Sequence, residues 1–263
     1  ELILTHQNNI NGFQYNIRGN VGWSRNKILK MNESPNRPDY QKSTGRKMGQ
    51  KLGFITGGLY QTREEIINSP TLGHLSKDQI RPGDIRYMDL NNDGKIDQAQ
   101  DYTVIGNSNL PELMYGLNIG ATWKNFDLSI FFQGAAITDV FLSGVYGNGN
   151  VDATIFTRPF FGSGNSPYFL IENSWTPENP NAEFTRLSTI AAEMGNANGW
   201  ASDWWIRNGS YLRLKNVQLG YTLRNNYVRS MGIDNIRFML TGGNLFTWSE
   251  LTKYNIDPEM PEI

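Results

Sequence analysis

The chain has 263 residues, 24 basic and 25 acidic side chains for a formal net charge of -1, and no cysteine. The near-neutral balance supplies no basic field to hold phosphates, which excludes nucleic acid as a partner, and the absence of thiols excludes disulfides, thiolate metal sites and cysteine nucleophiles. Aromatics at 12%, 27 glycines and abundant asparagine favour strands, tight turns and long polar loops, so the expected class is all-β.

No apolar run of about 18 residues occurs, so no spanning helix is expected, whereas a spanning strand needs only about 9–11 residues of alternating character. The chain opens at Glu1-Leu2-Ile3-Leu4-Thr5 without an initiator Met, a basic leader or a signal core, and is expected to begin mid-protein. From Phe13 to Trp23 the set Phe13, Tyr15, Ile17, Gly19, Val21, Trp23 alternates with Gln14, Asn16, Arg18, Asn20, Gly22. One apolar face, one polar face and aromatics at both ends fit a strand between lipid and a watery lumen, and fit a half-exposed strand of a soluble sandwich equally.

A second alternating run, Tyr115 to Trp123, leads through Lys124-Asn125 to Phe126, Leu128, Ile130 and Phe132. This spacing predicts a hairpin with a tight turn. Tyr211 to Leu223 and Asn235 to Trp248 form a third pair, in which Leu212 and Leu214 hand over to Val217, Leu219 and Tyr221 with one slip of phase, the mark of a bulge. Between the pairs lie long stretches rich in Gly, Asn, Pro and Ser, notably Leu142 to Ser174 and Thr176 to Asn208. Short turns alternating with very long loops are the asymmetry of a membrane barrel with two different ends. The terminal Asp257-Pro258-Glu259-Met260-Pro261 carries two prolines and is no central strand, so the chain is expected to stop short of the natural end. No internal repeat or linker marks a domain boundary.

The most specific local motif is Asp89-Leu90-Asn91-Asn92-Asp93-Gly94-Lys95-Ile96-Asp97, of the D-x-[DN]-x-[DN]-G calcium-loop type. Calcium takes six to eight oxygens, roughly, so Asp89, Asn91 and Asp93 would supply side-chain oxygens, Gly94 the sharp turn, Lys95 its carbonyl, and Asp97 and Asp101 the remainder. Gln100 stands where a bidentate Glu is expected, and no flanking helix is predicted. The alternative is an Asp/Asn/Gly turn held by its own hydrogen bonds. An ion there would be structural.

Catalytic constellations are poor. His6 and His74 are the only histidines and read as loop or surface residues; no G-x-S-x-G elbow occurs; Glu64-Glu65 and Glu172 read as solvated charges. The chain is not expected to be an enzyme. Trp175, Trp200, Trp204, Trp205 and Tyr168 lie in or near the long loops, where aromatics stack on sugar rings or peptide side chains, or pack over a barrel mouth.

Eight segments in matching order carry a family resemblance: Ser24 to Lys30; Gly83 to Asp89 running into Asn91 to Asp97; Thr103 to Asn107; Tyr115-Gly116-Leu117; Phe126 to Ser129 with Phe132-Gln133-Gly134; Ser174 to Pro180; Ser210 to Val217; and Gly243 to Trp248. Together they resemble the C-terminal region of SusC/RagA-type TonB-linked outer-membrane proteins of Bacteroidetes. The resemblance implies that residues 1–263 are part of a large, 22-stranded antiparallel transmembrane β-barrel with long extracellular loops, the plug domain and TonB box lying outside the chain. It further implies TonB-powered import of a bulky oligosaccharide or peptide across the bacterial outer membrane, with a SusD-like surface lipoprotein as partner. Gln14, Asn16, Arg18 and Asn20 would face the lumen. The competing reading from the residues is a secreted, calcium-containing all-β carbohydrate-binding or adhesion module, which detergent dependence would separate from a barrel.

Overall fold

The computed structural model describes residues 1–142, 167–188 and 198–260. Parts of both long stretches singled out in the sequence, 143–166 and 189–197, therefore lie outside the described residues. The chain divides into two compact units built from interleaved segments: residues 1–25, 110–138 and 208–258 form one, and 26–109 with 139–207 the core of the other.

The first unit is a six-stranded antiparallel sheet of β1 (Leu2–Ile10), β2 (Phe13–Trp23), β3 (Leu113–Trp123), β4 (Phe126–Ala136), β5 (Tyr211–Leu223) and β6 (Ile236–Ser249), hydrogen-bonded in that order. Both predicted pairs, β3 with β4 and β5 with β6, are present, and the single alternating run Phe13–Trp23 is β2, which pairs with β3. At one end the chain turns tightly, through Asn11-Gly12 with φ of 51° and 85° and through Lys124-Asn125 with Lys124 at 54°. Left-handed backbone at these positions matches the twist of the flanking strands. The β5–β6 connection is longer and carries a short helix, Asn226–Ser230, whose first turn is capped by the Asn225 side chain accepting from Val228 N at 2.9 Å. Every connection at the other end is long.

The predicted slip of phase is a bulge. Against β4, where Phe131 pairs with Asn216 and Phe132 with Leu214, Lys215 is the extra residue of β5; against β6, Lys215 faces two residues, Asn244 and Leu245, and Asn244 takes φ of 52°. Strand β1 was not predicted, because His6 and Asn8 interrupt its apolar alternation. It pairs with β2 residue for residue from Leu2–Val21 to Ile10–Phe13.

The second unit holds short ladders: Lys51–Phe54 with Tyr102–Gly106, Thr56–Leu59 with Ile85–Tyr87, and a parallel pair, Thr71–Leu72 with Lys95–Ile96. Its core is Tyr60, Ile66, Leu72, Ile80, Ile85, Ile96 and Trp205, all at most 2% exposed. Each such side chain contributes about 1.5–3 kcal/mol by leaving water, which gives this loop-rich segment a core of its own. The absence of a linker signal had suggested a single body. The connections fold on themselves instead, so the boundary crosses the sequence several times.

Candidate functional site

Register fixes which residues share a face of the sheet. One face carries the row Phe13, Trp123, Phe126, Tyr221 and Phe238 near the tight turns, then Leu128, Leu219 and Leu240, then Ile17, Ile119, Ile130 and Val217. Towards the long connections the same face continues with Leu4, Leu117, Phe132 and Phe246, and ends in Trp23, Tyr115 and Trp248. Much of it is open: Leu240 is 73% exposed, Phe246 61%, Trp23 59% and Phe238 58%. An apolar band between two aromatic rows, left uncovered, is a lipid-facing surface.

The opposite face is mainly polar. Its rows run Asn20, Gly116, Gln133, Arg213, Thr247; Arg18, Asn118, Phe131, Asn216; Asn16, Gly120, Ser129, Gln218, Thr241; and Gln14, Thr122, Asp127, Gly220, Met239, with Phe131 and Met239 as apolar members. Glycine positions make room for polar neighbours, since a Cβ at Gly120 would stand 2.1 Å from Asn16 Oδ1 and one at Gly220 would stand 2.4 Å from Asp127 Oδ1. Asp127 accepts from Arg237 Nη2 at 2.5 Å, and a groove of about 920 Å³ passes over Gln14, Asn16, Arg18, Asn118 and Asp127. Towards the long connections Arg213 donates to Thr247 Oγ1 at 2.8 Å and to Asp257 Oδ1 at 2.6 Å. That pair holds the segment after β6, which buries Leu251, Tyr254 and Ile256. Gln14, Asn16, Arg18 and Asn20 thus lie together on the polar face, as the alternation predicted.

The Asp89 loop closes on its own backbone. Asp89 accepts from Asn92 N at 2.6 Å and Gly94 N at 2.7 Å, Asn91 Oδ1 from Asp93 N at 3.1 Å, and Asp93 Oδ1 from Lys95 N at 2.8 Å. Asp97 Oδ1 accepts from Ala99 N and Gln100 N, while Asp101, fully buried, accepts from Leu90 N at 2.7 Å and Asp97 N at 2.9 Å. Gly94 sits at φ of 83°, as the sharp turn requires. Among the described residues no three acidic or histidine side chains converge on one point as a metal site would have them.

Sequence reasoning missed a buried, triply hydrogen-bonded carboxylate of the second unit, Asp84. Asp84 accepts from Arg81 N at 2.8 Å, Arg186 Nε at 2.8 Å and Asn198 Nδ2 at 2.9 Å. Its burial raises its pKa above the usual carboxylate value, against the opposing pull of Arg186 and the donors. The signal was weak because its two side-chain partners, Arg186 and Asn198, stand more than a hundred residues away in sequence. The loop aromatics are mostly packing: Trp205 is fully buried with Nε1 donating to Asn198 O at 2.7 Å, and Trp175 Nε1 donates to Gln61 Oε1 at 3.0 Å. Trp200 stacks on Tyr87 at 5.4 Å, whereas Tyr168 stands 71% exposed. His74 is exposed in a loop, and His6 lies exposed on β1 with its Nε2 3.1 Å from the Tyr15 hydroxyl.

No family model matches the chain. Among curated proteins it is 30% identical over 216 residues to TonB-dependent receptor P26 of Formosa agariphila, covering 81% of this chain and 20% of that protein. It is 23% identical over 223 residues to TonB-dependent receptor SusC of Bacteroides thetaiotaomicron, covering 81% and 19% respectively. Superposed on the RagAB peptide transporter structure it gives a TM-score of 0.65 at 20% identity over 98% of this chain and 26% of the other. The chain is SusC/RagA-like, a stretch of TonB-dependent receptor barrel. It spans about a fifth of the length of the curated relatives it matches.

A SusC/RagA-like chain is an outer-membrane protein, which accounts for the open apolar face: its neighbour is lipid. The tight turns Asn11-Gly12 and Lys124-Asn125 correspond to the short-turn end of such a barrel, and the second unit is built from its long loops.

Proposed function

We propose that this chain is the C-terminal part of a 22-stranded outer-membrane transporter that imports a bulky nutrient, an oligosaccharide or a peptide, driven through TonB. A plug domain and TonB box would belong to the same protein outside these residues, and a SusD-like lipoprotein would cover the loops from outside. The observation that carries the reading is the two-faced sheet, with an apolar aromatic-bounded face and a polar face of asparagine, glutamine and arginine on the same strands. SusC and the RagAB peptide transporter, which share the fold, support import and a partner; they are transporters and receptors, which supports a reading without catalytic turnover.

The test is outer-membrane fractionation of cells making the complete receptor, with co-purification in mild detergent and uptake of defined oligosaccharides and peptides with and without TonB. Recovery in the outer membrane with a bound lipoprotein and TonB-dependent uptake is the expected result. Recovery as a soluble secreted protein would overturn it.

The Asp89 loop is proposed, in addition, as a structural calcium site. The alternating oxygens of Asp89, Asn91 and Asp93 with Gly94 at the turn, and the Lys95 carbonyl, Asp97 and Asp101 beyond, are the supporting donors. A carboxylate oxygen that accepts one amide keeps a second lone pair for a cation, but the exposed carboxylates must swing inward to share one. Calcium would only tighten a turn the backbone already closes.

A further inference from the structure

The second unit contains a cleft that neither the barrel nor the loop closure explains. It measures about 480 Å³, and its lining includes the rings of Phe54, Tyr102 and Trp200 together with His74, Asp97 and Gln98. That size falls within the range of small-ligand sites, about 300–1,000 Å³. The walls are a preformed aromatic cluster: Phe54 meets Tyr102 edge-on at 5.3 Å and 77°, and Trp200 at 5.1 Å. Tyr87, almost fully buried, stacks behind Trp200 at 28° and fixes the indole. Phe54 is itself 6% exposed and its N–H donates to Ala201 O at 2.9 Å, which ties the strand to the segment carrying Trp200. The rings are held from behind, and Trp200 and Tyr102 remain half-exposed in front.

The polar part of the lining has the opposite chemistry. His74 and Gln98 are exposed, and their side chains have no hydrogen-bond partner among the described residues. Asp97 commits one oxygen to Ala99 N and Gln100 N, leaving Oδ2 available. An imidazole, a carboxylate oxygen and a primary amide together donate and accept around an aromatic floor. A leucine or phenylalanine side chain would fill the floor and leave those groups unmatched. A pyranose ring presents C–H bonds on its faces and hydroxyls around its rim, and matches both.

We propose that this cleft binds one pyranose ring of an oligosaccharide, the sugar face against Trp200 and Tyr102 and its hydroxyls on His74, Asp97 and Gln98. The inference rests on the import reading for the source of the ligand, and not for the binding. Ile96, fully buried, and Asp97 make the Asp89 loop one wall of the cleft, so the shape of that loop sets the fit.

The experiment is saturation-transfer NMR on the complete receptor in detergent, with the methyl glycosides of glucose, galactose, mannose and xylose and with the dipeptide Phe-Ala. At least one glycoside is expected to receive saturation on its ring C–H protons, and Trp200→Ala is expected to weaken its binding about tenfold. Because Trp200 also packs on Phe54 and Tyr87, Trp200→Phe serves as a variant that keeps an aromatic floor, and His74→Ala with Gln98→Ala alters only exposed positions. The double variant is expected to lose binding while the barrel still assembles. No transfer to any glycoside, transfer unchanged in Trp200→Ala and in the His74→Ala, Gln98→Ala double variant, or transfer to Phe-Ala alone overturns the proposal. A receptor that assembles and imports but holds no glycoside sinks this inference and leaves the import reading intact.

Discussion

The Tyr115 ring fills the space over Gly134. The two residues face each other in the β3–β4 register, and a Cβ at position 134 would meet Tyr115 Cε2 at 2.3 Å and the Tyr211 carbonyl oxygen at 2.6 Å. The Tyr115 hydroxyl donates to that same carbonyl at 2.9 Å, so one side chain covers a glycine on β4 and bonds to β5. Backbone on one side and a tethered ring on the other leave no room to yield. Gly134→Ala is expected to lower stability by roughly 1–3 kcal/mol, and Tyr115→Phe by about 0.5–1.5 kcal/mol. The temperature at which the folded barrel loses its fast electrophoretic mobility reads both, and an unchanged Gly134→Ala transition would show that the strands part more easily than described.

Leu219 and Gln218 are neighbours on β5 with opposite surroundings. Leu219 lies in the apolar row with Leu128 and Leu240, and Gln218 in the polar row with Ser129 and Thr241. If lipid covers the first face, Leu219→Arg costs about 2–4 kcal/mol and lowers the yield of assembled receptor, while Gln218→Arg is tolerated. Quantifying folded receptor in outer-membrane fractions distinguishes them. Equal losses would mean that the faces are not separated into lipid and lumen.

The sequence carried the sheet where side chains alternate strictly. Phe13–Trp23 was delimited to the residue, since every second position is apolar and the period admits one face. The bulge at Lys215 of β5 was visible as the handover from Leu214 to Val217. Strand β1 was invisible because His6 and Asn8 stand where lipid-facing residues are expected, and its evidence is the pairing with β2. The second unit was illegible for a different reason: Asp84, Arg186 and Asn198 communicate only after the long connections fold, and no local period records it. The aromatic cleft shares that property, since Phe54 and Trp200 are far apart along the chain.

Asp84 makes the second unit sensitive to pH. Burial raises its folded pKa above the ordinary 3.8, so over the window just above that value the folded state binds more protons than the unfolded chain. Its contribution to stability is therefore greatest at low pH and falls as pH rises through the folded pKa. Asp84→Asn is expected to remove this slope from the unfolding free energy measured from about pH 4 upward. Asp84→Ala, which leaves Arg81 N and the buried Asn198 Nδ2 without their acceptor, is expected to cost about 1–3 kcal/mol. A pH slope that survives in Asp84→Asn assigns the titration to another group.

Asp93 and Asp101 belong to the same loop but hold it in different ways. Asp101 is fully buried, and its two oxygens are the acceptors for Leu90 N and Asp97 N; Asp93 is exposed and bonds only within the turn. Removing Asp101 orphans two amides whatever the solution contains, so Asp101→Ala is expected to cost about 1–3 kcal/mol in chelator, and more in calcium, where the proposed site loses a donor as well. Removing Asp93 costs little in chelator, because water replaces the acceptor at an exposed turn. The calcium proposal adds a second expectation: calcium raises the unfolding temperature of the unsubstituted receptor by mass action, and Asp93→Ala abolishes that gain. Thermal unfolding of both variants with and without calcium separates the two roles. A calcium-independent transition in the unsubstituted receptor would leave the loop as a self-closed turn, with Asp101 as its anchor and no ion.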